Sequence, residues 1–210
     1  MPRGNAKANP TPSRTTHNTF IEVIWTIVPV IILVAIAVPS FKLLFLELTI
    51  PPSDVTVKAT GKQWYWSYSY PDSKFEFDSL MLKDNERKAD QPRLLAVDED
   101  MVIPANTTVR IIGTGADSMH GWTVWGFGIK KTVIPGRINE GWINVPKEGI
   151  YFGQCSQICG NGHSYMPIAV RVVSKPEFDK WVEQKKKAAG LAPEQAPTTD
   201  FASATVPANR

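Results

Sequence analysis

Four residues with soft ligand atoms lie within twelve positions of the segment GQCSQICGNGHSYMPI. They are Cys155, Cys159, His163 and Met166, and glycines between them favour a tight loop that turns the four side chains toward one point. A thiolate, an imidazole and a thioether together select copper, with methionine as the weak and distant ligand. A structural zinc site makes no use of a thioether. The segment therefore predicts a copper site.

The ligand count leaves two alternatives open. A disulfide between the two cysteines suits an oxidising compartment, but it gives His163 and Met166 no role. A second imidazole is available from His120, which lies in ADSMHGWTV beside a predicted strand. One thiolate, two histidines and a methionine make a mononuclear site, whereas a second thiolate supplies enough sulfur to bridge two metals. The residues suggest the binuclear site.

The composition limits the other functions that the chain can have. It has 210 residues, of which 43% are hydrophobic, and this is enough for one or two domains with a core. The net charge of +3 is too small to indicate nucleic-acid binding, and no basic run alternates with aromatic residues. Seven tryptophans and seventeen prolines favour a β-rich domain with many turns over a helical bundle.

The segment FIEVIWTIVPVIILVAIAVPSFKLLFLEL predicts a transmembrane helix over residues 20–48. Nineteen residues without a charge separate Glu22 from Lys42, and about twenty helical residues span a bilayer core of about 30 Å. Pro29 and Pro39 are tolerated in such a helix. A cleaved signal peptide is the alternative, but its apolar region would be shorter and would end in small residues.

Charge flanking the helix predicts its orientation. Residues 1–19 form a disordered tail with Arg3, Lys7 and Arg14 and no acid, so the tail is expected in the cytoplasm. The rest of the chain then lies in the periplasm of a bacterium, anchored in the inner membrane, or in the equivalent space outside the mitochondrial inner membrane. Glu22 at the cytoplasmic edge is either an interfacial residue or a member of a proton path.

Short apolar and aromatic runs beyond the helix predict a β-sandwich or small barrel over residues 54–174. The runs are VTVKATG, WYWSYSY, FEFDSL, LLAV, TTVRII, WTVWGFGI, GWINV, GIYFGQC and PIAVRVVS. Residues 175–189 predict a short closing helix, because Phe178, Trp181 and Val182 have helical spacing and lysines crowd its carboxyl end. Residues 190–210 are predicted to be disordered.

These motifs resemble subunit II of the haem–copper cytochrome c oxidases, which carries the binuclear copper centre CuA. The resemblance rests on IEVIWTIVPVIILV in the helix, GKQWYWSYSY after it, IPGR at Ile134–Arg137, and GQCSQICGNGHSYMPI. It covers about His17 to Trp181. It implies a mainly β chain, with one N-terminal transmembrane helix, a cupredoxin-like Greek-key sandwich or barrel, and a short C-terminal helix.

The resemblance implies a complete set of copper ligands. Cys155 and Cys159 match the bridging thiolates, and Met166 matches the axial thioether. His120 and His163 match the terminal imidazoles. The backbone carbonyl at Gln157 matches the second axial ligand, which does not depend on the side chain. In the family this position usually carries a glutamate whose carboxylate helps hold a magnesium ion against subunit I, and Gln157 offers a weaker, neutral oxygen there.

The resemblance also implies where electrons and protons enter. Trp64 matches the surface indole that takes electrons from cytochrome c, although as a strand aromatic it has a simpler structural explanation. Asp78, Asp98 and Asp117 match acids that dock the cytochrome, and residues 72–100 hold nine acids against five bases. Glu22 matches a carboxylate at the mouth of a proton channel shared with subunit I.

The function that the resemblance implies is electron entry into a terminal respiratory oxidase. CuA accepts electrons from cytochrome c and passes them to the haem of subunit I, where oxygen is reduced to water with proton pumping; subunit II is part of this oxidoreductase and is not catalytic alone. The family has two membrane helices, so we expect a fragment or a split or shortened subunit. Quinol oxidases lack the copper ligands, nitrous oxide reductases need a further propeller domain, and a copper chaperone would show no tryptophan run.

Overall fold

The computed structural model describes Pro10 and residues 14–191, which form two compact units divided between Thr49 and Ile50. The first is a helix and the second is a β domain that ends in a short helix. Most of the tails predicted to be disordered, over residues 1–19 and 190–210, therefore lies outside the described residues. A mainly β chain with one apolar N-terminal helix and one short C-terminal helix confirms the predicted fold class.

Helix α1 runs over Thr19–Leu48, which gives a length of about 45 Å at 1.5 Å per residue. None of its residues is buried, and its exposed surface is almost entirely apolar. Among the described residues it is the one helix long and apolar enough to cross a bilayer. The hydroxyls of Thr26 and Ser40 donate to carbonyls one turn earlier, so they add no unsatisfied donor to an apolar surface.

Polar side chains close the amino terminus of α1. The side-chain oxygen of Asn18 accepts a hydrogen bond from the backbone N–H of Ile21, and the Glu22 carboxylate accepts one from the N–H of Asn18. Two N–H groups that a helix leaves without partners are thereby satisfied, and the carboxylate lies at the positive end of the helix dipole. Glu22, the predicted proton-channel residue, thus has a local contact in the first turn.

The β domain is a sandwich of two five-stranded sheets. One sheet has the strand order β3-β2-β1-β5-β8 and the other has the order β4-β10-β9-β6-β7. The strands are β1 Val55–Lys62, β2 Tyr65–Tyr70, β3 Phe75–Ser79, β4 Met101–Pro104, β5 Thr108–Gly115, β6 His120–Val124, β7 Ile129–Val133, β8 Asn139–Asn144, β9 Gly149–Gln154 and β10 Pro167–Val173. Two parallel pairs, β1 with β5 and β4 with β10, connect strands that are distant in sequence.

Two of the predicted strand runs have a different structure. The run WTVWGFGI is interrupted by a turn over Trp125–Phe127, and Gly128 adopts φ +67, so the chain reverses between β6 and β7. The run LLAV forms no named strand, because Leu94 lies in a turn with φ +64 and the segment contributes one isolated bridge between Val97 and Met81. Positive φ is costly for a leucine, and sequence alone gave no sign of it.

Large aromatic side chains join the two sheets at the core. Trp66, Tyr68 and Tyr70 point inward from β2, and all three are almost completely buried. The Tyr70 hydroxyl donates to the Val102 carbonyl at 2.7 Å and accepts from the Val102 N–H at 3.0 Å. The Tyr68 hydroxyl accepts a longer bond of 3.4 Å from Trp122 on β6. These contacts fix β2 of one sheet against β4 and β6 of the other.

Helix α2, Lys175–Ala188, covers one end of the core. Ser174 caps its first turn, and its buried residues Phe178, Trp181 and Val182 have the predicted spacing. The ring of Trp181 lies 5.2 Å from that of Tyr70 in an edge-to-face contact. The helix follows β10 in the chain, and its side chains complete the aromatic core.

Candidate metal centre

The predicted ligand loop is residues 155–166, between β9 and β10. Its two ends are joined by a hydrogen bond from the N–H of Cys155 to the carbonyl of Met166. Gly160 has φ +121, a conformation that L side chains rarely adopt, and the N–H of His163 then donates to its carbonyl. This turn returns the chain, so that residues four to eleven positions apart face one another.

The side chains of the loop converge around Cys159. Its sulfur lies 3.9 Å from the sulfur of Cys155, and neither thiol is in a disulfide. The Nδ1 atom of His163 is 3.6 Å from the Cys159 sulfur, and the sulfur of Met166 is 3.5 Å from it. The carbonyl oxygen of Gln157 lies 3.3 Å from the Cys155 sulfur. Five of the six predicted donors thus come from one loop.

The sixth donor, His120, comes from the first position of β6. Its ring is fully buried, and its Nδ1 atom has no hydrogen-bond partner among the described residues. Ligand atoms of His120, Cys155 and Cys159 all lie within 4.8 Å of one another. The ring occupies space next to Gly61 of β1, where a Cβ would come within 2.7 Å of it. The glycine therefore admits the imidazole to this position.

The donors fit the copper centre that the sequence predicted. A buried imidazole nitrogen without a partner is costly unless something binds it, and His120 Nδ1 is such an atom. Two free thiols and a buried thioether beside it make a soft donor set that suits copper better than zinc. Burial and the neighbouring Cys155 raise the pKa of the Cys159 thiol to about 12, so metal binding must displace a proton.

The other ring nitrogen of His120 lies in a polar setting. Its Nε2 is 2.9 Å from the Oδ1 atom of Asp117 and 3.3 Å from the hydroxyl of Ser118. Asp117 also accepts hydrogen bonds from the N–H groups of Gln63 and Ser118, at 2.7 and 2.6 Å. Desolvation raises the pKa of this carboxyl, but the hydrogen bonds to His120 and the two N–H groups outweigh it, and the pKa lies below its ordinary value.

Trp64 packs directly on the ligand loop. Its side chain is partly exposed, and its Nε1–H donates to the carbonyl of Cys159 at 3.3 Å. The side-chain amide of Gln63 donates to the same carbonyl at 2.8 Å. A Cβ at Gly162 would overlap the indole, so the glycine is what lets Trp64 lie this close. One hydrogen bond thus separates the exposed ring from the backbone of a predicted ligand.

Each of the three predicted docking acids has an intramolecular partner. Asp78 forms an ion pair with Lys62 at 3.5 Å. Asp98 accepts hydrogen bonds from the N–H groups of Leu80 and Glu99 at 2.7 and 2.8 Å. Asp117 contacts His120, as described above. Sequence reasoning found the acidic character of residues 72–100 but missed these contacts, which depend on strand register and loop conformation.

Sequence reasoning also missed the residues that shape the site without supplying ligands. Gly61 and Gly162 give room to His120 and Trp64, and Gln63 is bonded to both the loop and Asp117. The sequence held one signal for them, since Gly61 and Gln63 are in the aromatic motif GKQWYWSYSY. The loop residue that bonds to Gln63 and Trp64 lies about a hundred positions further along the chain, and no local pattern reveals such a pairing.

Comparisons with known proteins agree with this picture. A family described as cytochrome c oxidase subunit II, periplasmic domain, matches residues 55–173, and its transmembrane domain matches residues 3–43. The probable cytochrome c oxidase subunit 2 of Rickettsia felis is 53% identical over 188 residues, which cover 89% of this chain and 60% of that protein. The corresponding Rickettsia bellii protein is 52% identical over 186 residues, covering 88% of this chain and 69% of the relative.

A solved structure shares the fold. The crystal structure of the periplasmic domain of cytochrome oxidase subunit II from Bradyrhizobium japonicum aligns with a TM-score of 0.63 at 54% identity. The alignment covers 67% of this chain and 99% of that domain. The chain spans about 60% of the length of the Rickettsia felis relative. On these matches, the chain belongs to the cytochrome c oxidase subunit II family.

Proposed function

We propose that this chain is the electron-entry subunit of a terminal respiratory oxidase, accepting electrons from reduced cytochrome c at a CuA centre and serving the haem of subunit I. Subunit I then reduces oxygen to water with proton pumping. The observation that carries the proposal is the clustering of the six predicted donors around the two buried thiols, together with the buried, unpartnered Nδ1 of His120.

Six residues would hold the two copper ions. They are Cys155, Cys159, His120, His163, Met166 and Gln157, the last through its backbone carbonyl. When bound, the pair supplies a one-electron centre whose charge is shared over both ions and both sulfurs. The protein's own contribution is a dry, fixed donor set, because the two sulfurs of the thiols, Met166 and His120 are all buried.

Trp64 is the residue proposed to receive electrons from cytochrome c. The residue is 37% exposed, so a carrier protein can touch it, while its Nε1–H reaches the Cys159 carbonyl. The contacts with the loop hold the ring in one orientation. His163 is only partly buried. We assign to this histidine the side of the centre from which the electron leaves for subunit I.

The acids proposed for docking act through the electrostatic field of the whole acidic surface rather than as individual unpaired charges. Asp78 is partly neutralised by Lys62, and Asp98 and Asp117 hold backbone or imidazole N–H groups. An acidic surface over residues 72–100 would still speed encounter with a basic cytochrome, and the rate would fall as salt is added.

We assign the membrane and subunit contacts from charge and position. Basic residues before α1 and the apolar surface of α1 support a bacterial inner-membrane anchor with the β domain in the periplasm, or the mitochondrial equivalent. Glu22 is proposed to lie at the mouth of a proton channel with subunit I. A magnesium ion between Gln157 and subunit I would meet a neutral amide in place of a carboxylate. We therefore expect the ion to bind weakly there.

Metal analysis and spin resonance of the copper-loaded full chain test the assignment. We expect two coppers per chain and the many-line signal of a shared electron, both lost or reduced to a four-line, one-copper form in Cys159→Ser. Met119→Leu is the matched control, because Met119 is an exposed methionine outside the ligand set. One copper or a zinc ion in the parent chain would contradict the proposal.

A second experiment tests the entry residue. Trp64→Phe in the assembled oxidase should slow the oxidation of cytochrome c, with the copper signal unchanged. Trp125→Phe is the control, because Trp125 is 63% exposed and follows the end of β6 opposite to His120. Equal rates in the two variants would remove Trp64 from the proposed route.

A further inference from the structure

Both oxygens of the Asp117 carboxylate form hydrogen bonds within the protein. Its Oδ1 atom contacts the His120 Nε2 atom at 2.9 Å and the N–H of Ser118 at 2.6 Å. Its Oδ2 atom accepts from the N–H of Gln63 at 2.7 Å. The carboxylate therefore joins a predicted ligand to the backbone immediately before Trp64.

The contact determines which His120 nitrogen can bind a metal. An ionised carboxylate only accepts hydrogen bonds, so the proton of a neutral imidazole must be on Nε2. The Nδ1 atom then carries a lone pair, and it is this atom that is buried without a partner among the described residues. Both observations concern the same ring, and neither depends on the other.

We propose that Asp117 is a positioning residue for the metal centre, and not only part of a docking surface: it holds His120 in the Nε2–H tautomer and makes Nδ1 the ligand atom. This inference rests on the proposed function for its metal. The carboxylate would have a second effect. A negative charge bonded to the imidazole makes the ring a stronger electron-pair donor to the metal, which favours the oxidised centre.

The packing around the His120 ring does not select its tautomer, so this role falls to Asp117. The His120 ring is confined by the backbone at Gly61, where a Cβ would come within 2.7 Å, and by Trp66, whose ring centroid is 6.0 Å away with its plane at 63°. These apolar contacts hold the plane of the ring, but they do not distinguish its two nitrogens. The hydroxyl of Ser118, 3.3 Å from Nε2, can either donate or accept and so does not determine the tautomer alone.

Asp117→Asn and Asp98→Asn are a matched pair of variants for the test. Both remove one negative charge from a predicted docking acid. The asparagine oxygen at position 98 can still accept from Leu80 and Glu99, because both bonds use one oxygen atom. The amide at position 117 cannot replace both carboxylate oxygens, so the contact to His120 or to Gln63 is lost.

The first measurement uses the metal-free full chain with nitrogen-15 in its histidines. The sequence has only three histidines, so the His120 ring signals can be assigned by comparison with His120→Gln. We expect the Nε2–H tautomer in the parent and in Asp98→Asn, and a mixture of tautomers in Asp117→Asn. An Nδ1–H tautomer in the parent chain would overturn the inference without reference to any variant or metal.

The second measurement uses the copper-loaded chain. Loss of such an outer partner typically lowers metal affinity by about 10- to 100-fold, and we expect this for Asp117→Asn alone. Its reduction potential should rise, while Asp98→Asn remains near the parent because the side chain of Asp98 bonds to Leu80 and Glu99 rather than to a predicted ligand. Equal affinities and potentials in the two variants would overturn the inference. A parent chain that binds no copper pair would instead overturn the proposed function, and the tautomer measurement would remain decisive for Asp117.

Discussion

Gly162→Ala is expected to displace Trp64 from the ligand loop. A Cβ at this position would overlap the Cγ and Cδ2 atoms of the indole, which are the ring atoms nearest the Trp64 backbone. A flexible tip can rotate away from such an overlap, but the root of a side chain cannot. The whole ring must therefore move by on the order of 1 Å to restore ordinary contact distances, and the 3.3 Å hydrogen bond to Cys159 is lost.

The size of the effect follows from these two contacts. Overpacking costs about 1–3 kcal/mol, and the lost hydrogen bond adds about 1 kcal/mol to the decrease in the free energy of unfolding. A displacement of about 1 Å can slow a reaction that depends on positioning by up to about a hundredfold. On the proposed function, we expect at least a tenfold decrease in the rate of cytochrome c oxidation.

Gly126→Ala is the control for this substitution. Its Cβ would come within 2.9 Å of the Tyr151 ring, so it also forces an aromatic side chain to move, but next to the turn at Trp125–Phe127 rather than at the predicted ligand loop. Urea unfolding should show a loss of about 1–3 kcal/mol. Stopped-flow oxidation of cytochrome c by the assembled oxidase, at matched copper content, compares the two. A normal rate in Gly162→Ala would refute the role assigned to the packing of Trp64.

Three further predictions concern stability and the thiols. Tyr70→Phe removes two short buried hydrogen bonds and should lower the free energy of unfolding in urea by about 2–4 kcal/mol, whereas Tyr68→Phe, with one long bond, should cost about 1 kcal/mol; equal losses would contradict the reasoning. Burial raises the pKa of Asp100 despite Arg171, so the folded state holds the proton more tightly and stability decreases as the pH rises above about 4. Asp100→Asn should therefore be no less stable than the parent at pH 7, and thermal unfolding at pH 3 and 7 checks this. With a pKa of about 12, the Cys159 thiol of the metal-free chain should react with iodoacetamide about tenfold faster per pH unit between pH 7 and 9, and copper should abolish the reaction.

The sequence by itself determined the parts that depend on local pattern. A run of nineteen uncharged, mostly apolar residues is long enough for a helix that spans a bilayer, so α1 was predictable from the sequence alone. The predicted ligand loop was equally local, because Cys155, Cys159, His163 and Met166 lie within one turn-rich segment. Phe178, Trp181 and Val182 likewise fixed the buried face of α2 through their helical spacing.

The tertiary structure decided everything that depends on which distant segments meet. Trp64 reaches Cys159 across 95 positions, and His120 fits into the site because its neighbour on β1 is Gly61, which has no side chain. The pairing of Asp78 with Lys62 needs the register of three adjacent strands, which no run of residues specifies. Asp117 shows the limit most clearly, since a carboxylate three positions before a histidine can face solvent or the ring. The choice depends on the folded loop, because the loop alone sets the direction in which each side chain points.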